Sequence, residues 1–248
     1  MQWEDEGVIL RARPHGERNA IVTAFTRDHG RCAGLARGVL ASTRRLTLQP
    51  GALTRLRWRA RLEEQLGSFA AEPLRSYGTP LLPFPGPLAA LNAVCALTDA
   101  GFAERAPHPD FYPRLLALLA VLPDPGWAAA YARWELELLT ALGFGLDLRA
   151  CAVSGVVTDL IYVSPRSGRA VSSAVGAPYH DKLLPLPAFL RETPPTDTPT
   201  LGAVRAGLRL TGYFLARHVT APHPPPARER LLQWLARSNG AQGSTQQL

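Results

Sequence analysis

The chain has 248 residues, of which 46% are apolar and 19% charged, and a net charge of +7. Its longest uninterrupted apolar run, Leu115–Leu122, falls far short of the roughly 20 residues a membrane-spanning helix needs, and the scattered Cys32, Cys95 and Cys151 exclude a disulfide framework. Residues 1–6 carry three acids, residues 7–61 carry twelve arginines against Glu17 and Asp28, and the remainder is balanced. An acidic start, where a secretory signal would be basic, makes the cytoplasm the expected compartment. A basic block ahead of a neutral remainder is the footprint of a module that meets a polyanion, because guanidinium groups near phosphates release condensed counterions.

The first 75 or so residues read as short strands. Val8–Arg13 is a half-apolar extended run, Ala20–Thr26 is β-branched, and Asp28-His29-Gly30 between it and Arg31–Arg37 has hairpin chemistry. Gly38–Gly51 is a longer connection and a candidate flexible loop, with Ser42-Thr43-Arg44-Arg45 near its start and Pro50-Gly51 at its end. In Arg55–Leu62 every second residue is arginine, so period-two alternation puts Arg55, Arg57, Arg59 and Arg61 on one face and Leu56, Trp58, Ala60 and Leu62 on the other. The charged face is either a binding surface or a solvated exterior. A fifth strand near Leu66–Ala71 completes an all-β module that suits an OB-type barrel.

From Leu81 onward the pattern is helical. Leu88–Arg105, Phe111–Leu122 and Trp127–Leu142 carry apolar residues at helical spacing, each bounded by Pro or Gly. Cys95 sits on an apolar stripe and reads as a core thiol. Residues 146–184 break the pattern as an irregular insert with an extended Leu160–Val163 and a turn at Pro165–Gly168. Leu186–Glu192 reads as a short helix, Thr193–Pro199 as a linker, Leu201–His218 as a longer helix and Arg228–Arg237 as the last. The expected organisation is α+β: a five-stranded OB-fold β-barrel over residues 1–78, a helical domain over 79–237 and a disordered tail over 238–248.

Catalytic signatures are missing. The one lysine, Lys182, is outside any GxxxxGK[ST] loop, no GxSxG, HExxH or EF-hand pattern occurs, and Gly143-Phe144-Gly145 lacks the third glycine of a dinucleotide fingerprint. The six histidines are scattered and read as surface or capping residues, and the basic module has too few acids to hold catalytic magnesium. A binding protein is therefore expected, with no catalytic residue, metal or cofactor.

Gly7–Arg13, Gly16-Glu17, Ile21–Arg31, Ala36-Arg37-Gly38 and Leu48-Gln49-Pro50-Gly51, followed by Glu135–Leu139, Gly143-Phe144, Leu146-Asp147-Leu148, Cys151, Val163-Ser164-Pro165 and Gly168, form an ordered series that resembles the RecO recombination mediator family. The resemblance implies an N-terminal OB-fold, a helical C-terminal domain and, in some members, a four-cysteine zinc module between helices. Here Cys151 stands where a CxxCG motif begins, Ser154 occupies the second cysteine position and no cysteine follows. No structural zinc is expected, and Val156, Leu160, Ile161 and Val163 are expected to hold the insert by packing.

The resemblance also implies ATP-independent repair work in a bacterial, nucleoid-associated setting. This comprises binding single- and double-stranded DNA, annealing strands, and helping the recombinase RecA displace single-strand-binding protein, whose C-terminal tail is a partner together with RecR. The arginines assigned to DNA are Arg11, Arg13, Arg31, Arg37, Arg44, Arg45, Arg55, Arg57, Arg59 and Arg61. With Trp58 facing the core, phosphate contact is expected to outweigh base stacking. An OB-fold RNA-binding module and a protein-interaction scaffold are the alternatives.

Overall fold

The computed structural model describes residues 1–39, 48–62, 65–191, 197–220 and 224–238. Most of the expected flexible loop (with Arg44 and Arg45), much of the 193–199 linker and the tail from 239 lie outside the described residues. The chain folds as two compact units, residues 1–123 with 225–231, and residues 124–224 with 232–248.

The first unit opens with five strands, β1 (Gln2–His15), β2 (Asn19–Thr26), β3 (Gly30–Ala36), β4 (Ala52–Arg59) and β5 (Ser68–Ser76). They close into a barrel in the order β1-β2-β3-β5-β4, as the OB topology requires. All neighbours are antiparallel except β3 and β5, which run parallel. β1 begins six residues before the expected run, because the acidic opening segment is itself strand and pairs with β4. A bulge at Leu10 interrupts the β1–β2 ladder and lets this one long strand bend from β4 onto β2.

Alternation fills the interior with Ile9, Val22, Ala24, Cys32, Leu56, Trp58 and Phe69. Burial raises the Cys32 thiol to about 11. The β2–β3 connection is a three-residue turn ending at Gly30, whose φ of +67° and position 1.9 Å from the Ala106 carbonyl oxygen for an added Cβ both require glycine.

The outer face of β1 and β2 is apolar at Val8, Leu10 and Phe25, all buried. It is covered within the same unit by α1 (Pro85–Gly101), with α2 (Tyr112–Val121) following. Phe25 packs on Phe102, Phe111 and Tyr112, and His108 is held between Phe25 and Phe102 rather than at the surface. Cys95 is buried against the Ile9 carbonyl, as its apolar stripe implies.

The second unit contains α3 (Trp127–Ala141) and α5 (Leu201–His218), and the two helices pack with Glu135 of α3 buried and accepting a hydrogen bond from the Thr211 hydroxyl of α5. Between them lie the short strands β6 (Leu160–Val163), β7 (Ala170–Ser172) and β8 (Leu184–Pro185) in the order β7-β6-β8, and a four-residue helix α4 (Ser173–Gly176). Residues 188–190 form a single 3-10 turn where a short helix was expected. Leu160 and Val163 are buried, but Val156 is 44% exposed and does not pack the insert as expected, because it sits in an irregular stretch with no ladder to orient it. The last helix, α6, runs over Pro226–Arg237. No helix among the described residues is long and apolar enough to cross a membrane.

Candidate nucleic-acid interface

In β4 the burial alternates as the sequence dictates, with Leu56 and Trp58 inside and Arg55, Arg57 and Arg59 outside. The alternation stops at Arg59. Arg61 follows the strand, and Leu62, expected to face inward, is 58% exposed. The arginine face is not purely cationic either. Its β1 neighbours across the ladder are Glu4, opposite Arg57, and Glu6, opposite Arg55. Glu4 lies 3.7 Å from Arg55 and 3.5 Å from Arg57, and Glu72 of β5 lies 3.9 Å from Arg55. All these groups are well exposed, and such pairs are worth about 0–1 kcal/mol, so a phosphate can displace them.

Arg11 and Arg31 have a different role. Both reach the Asp99 carboxylate of α1, at 3.1 Å and 2.7 Å. Asp99 is 12% and Arg31 21% exposed, which makes this a half-buried clamp that fixes α1 on the barrel.

Among the described residues, Arg13, Arg37, Arg59 and Arg61 make no ion pair, and neither does Arg18 in the β1–β2 loop, which sequence reasoning passed over. Register places two of these at the ends of one row. Arg59 is opposite Ser68, Ser68 opposite Leu35, Leu35 opposite Ile21, and Ile21 opposite Arg13. This row of outward residues crosses β4, β5, β3, β2 and β1. At about 4.8 Å per strand it spans roughly 19 Å of surface, with exposed guanidinium groups at its ends and half-buried Leu35 and Ile21 between them. Arg18 and Arg61 sit in the β1–β2 and β4–β5 loops and Arg37 follows β3. The β2–β3 face with these two loops is the surface OB-folds use for oligonucleotides.

One mouth of the barrel carries aromatic rings. Trp3 lies near-parallel to His29 at 4.2 Å and to Trp58 at 5.7 Å between centroids. Arg105, from the segment after α1, lies over Trp58 at 5.4 Å. Asp5, whose side chain is 2% exposed, accepts hydrogen bonds from the Glu6 and Asp28 backbone amides and lies 2.9 Å from His29 Nδ1. His29 is thus a partly exposed ring held in place by Asp5. The signal available in the sequence was its place in a tight turn, where a buried Asp can tie down backbone donors.

In the second unit, the Cys151 sulfur accepts a hydrogen bond from the Ser172 hydroxyl at 3.5 Å. Among the described residues no three His, Cys, Asp or Glu side chains converge. One thiol with two serines does not fit a tetrahedral zinc site.

Two family models match the chain: "Recombination protein O N terminal" over residues 1–77 and "Recombination protein O C terminal" over residues 87–225. A DNA repair protein RecO of Rhodospirillum rubrum is 48% identical over 251 residues, covering 97% of this chain and 99% of the relative. The DNA repair protein RecO of Ruegeria sp. is 48% identical over 243 residues, 96% and 99% of the two chains. That of Methylocella silvestris is 46% identical over 235 residues, 94% and 95%.

Proposed function

Because the chain belongs to the RecO family and so has a part in DNA repair and recombination, we propose that its barrel binds single- and double-stranded DNA through backbone phosphates and anneals complementary strands. We further propose that it acts as a mediator, working with RecR to help RecA onto single strands covered by single-strand-binding protein. The observation that supports DNA contact is the set of arginines that make no ion pair among the described residues: Arg13 on β1, Arg59 at the end of β4, and Arg18, Arg37 and Arg61 in the segments beside the β2–β3 face. Annealing requires neutralising two backbones without locking the bases, and exposed guanidinium groups on the sheet and beside it provide that. Arg55 and Arg57 add to the surface once their carboxylate partners are displaced. Arg44 and Arg45 are retained as candidates on sequence grounds. Arg11 and Arg31, held by Asp99, are assigned mainly to structure.

The test is the affinity for a fluorescent single-stranded DNA oligomer as a function of salt. Replacing Arg13, Arg37 and Arg59 together by Gln should flatten the slope of log affinity against log salt by about 2, since each phosphate contact on a single strand contributes about 0.7. Strand annealing should slow in parallel. An unchanged slope removes this surface from the mechanism. Stronger binding to RNA of the same sequence favours the RNA module, and no binding at low salt favours the scaffold.

A further inference from the structure

Next to Arg59 at the end of β4 and Arg61 in the β4–β5 loop lies a feature that phosphate binding leaves unused. A cavity of about 440 Å³ opens at the barrel mouth, walled by Gln2, Trp3, Asp28, His29, Trp58 and Arg105. It adjoins a groove walled by Gln2, Arg59 and Arg61. The cavity lies within the roughly 300–1,000 Å³ range of small-molecule pockets. Its rings are held rigidly. His29 is fixed through Nδ1 by Asp5, Trp58 donates its indole N–H to the Leu66 carbonyl at 3.2 Å, and the three ring planes are near-parallel. Most of this aromatic surface is buried, but the His29 side chain is 35% exposed and its Nε2 has no partner among the described residues.

We propose that this cavity receives one unstacked nucleobase of a bound single strand, with the flanking phosphates on Arg59 and Arg61 in the adjoining groove. The polar groups suit the two halves of the nucleotide. The Asp28 carboxylate at the cavity wall can accept from an exocyclic amine, and the Arg105 guanidinium on the same wall is already engaged over Trp58 and by the Gln65 carbonyl. The groove outside presents Arg59 and Arg61, which make no ion pair among the described residues. A planar base matches the parallel rings, because stacking on aromatic side chains is tolerant of base identity. The site gives single strands an advantage over duplex, whose bases are already stacked and paired. This inference rests on the reading of the barrel as a DNA-binding module and adds a base-dependent contact to it.

The experiment uses the full chain and two labelled DNA oligomers of equal length and charge, an oligothymidylate and one with abasic sugars at its interior positions. Both are titrated at one salt concentration high enough to weaken phosphate contacts. The wild-type chain should prefer the oligomer with bases by about tenfold. His29→Ala should bring that ratio toward one. His29→Phe, which also loses the bond to Asp5 but keeps a ring, should restore it and so separates stacking from loss of fold. Equal wild-type binding of both oligomers, or a full preference retained in His29→Ala, overturns the proposal while DNA binding by the barrel stands. Absence of binding to either oligomer overturns both.

Discussion

Glu4 faces Arg57 directly across the β1–β4 ladder, and its carboxylate lies within 3.7 Å of both Arg57 and Arg55. A carboxylate in that position does what a phosphate would do. With Glu72 it occupies the inner part of the β4 stripe, while Arg59 makes no ion pair among the described residues. On the proposed reading of the barrel as a DNA-binding module, the protein's own acids compete with the nucleic acid for these two arginines.

Glu4→Gln combined with Glu72→Gln should raise affinity for single-stranded DNA several-fold at low salt. It should also steepen the salt slope by up to about 1.4, the contribution of two further phosphate contacts. Anisotropy titrations over a range of salt concentrations read both quantities. Unchanged or weaker binding would show that Arg55 and Arg57 take no part in it.

Arg31→Ala should cost about 1–2 kcal/mol of stability by urea denaturation, because it leaves Asp99 half-buried with only the more exposed Arg11 as partner. The salt slope for DNA should stay at the wild-type value. A flattened slope with unchanged stability would return Arg31 to the interface.

Gly67→Ala should destabilise the barrel by roughly 2–5 kcal/mol, combining left-handed backbone strain with overpacking. The residue has φ +67°, and an added Cβ would stand 2.3 Å from Trp58 Nε1. Near-ultraviolet circular dichroism should show the tryptophan environment altered. A variant with wild-type stability would mean the mouth can relax around the indole.

Burial opposes ionisation of Cys151, but hydrogen bonds from Ser154 and Ser172 outweigh it and bring the thiol down from 9.0 to about 6. Cys95 is pushed up to about 12 by burial. A titration of thiolate absorbance should therefore show one step near pH 6, absent in Cys151→Ala, with the other two cysteines silent below pH 10. Since the folded chain ionises Cys151 more readily than the unfolded chain, this group's stabilisation is complete above about pH 9. It declines below that and is lost as pH falls through 6. Elemental analysis should find no stoichiometric zinc; one zinc per chain would contradict this account of the thiol.

Local chemistry made much of the fold readable. The α5 boundaries at Leu201 and His218 coincide with the sequence reading, and α3 ends one residue short of it, because Pro and Gly punctuate both. The five strands and the inward Trp58 follow from alternation and turn residues. What alternation cannot show is where a strand loses its partner. Arg61 and Leu62 continue the pattern, but the β1–β4 ladder ends with Gln2 opposite Arg59. Contacts distant in sequence were equally hidden. Nothing near Arg31 points to Asp99, 68 residues away, and the three acids of residues 1–6 gave a charge count but not their place opposite the arginine strand. The β4 stripe thus looked like the strongest cationic surface, whereas among the described residues the arginines without an ion pair lie at the end of that strand, on β1 and in the segments beside the β2–β3 face.

β1 is the seam of the barrel on both sides, its opening half zipped to β4 and its closing half to β2. Loss of the first few residues would do more than shorten a terminus. It would unseal the cylinder, leave one edge of β4 unpaired while the other stays on β5, and turn a self-contained ring into an open ribbon prone to join other chains edge to edge.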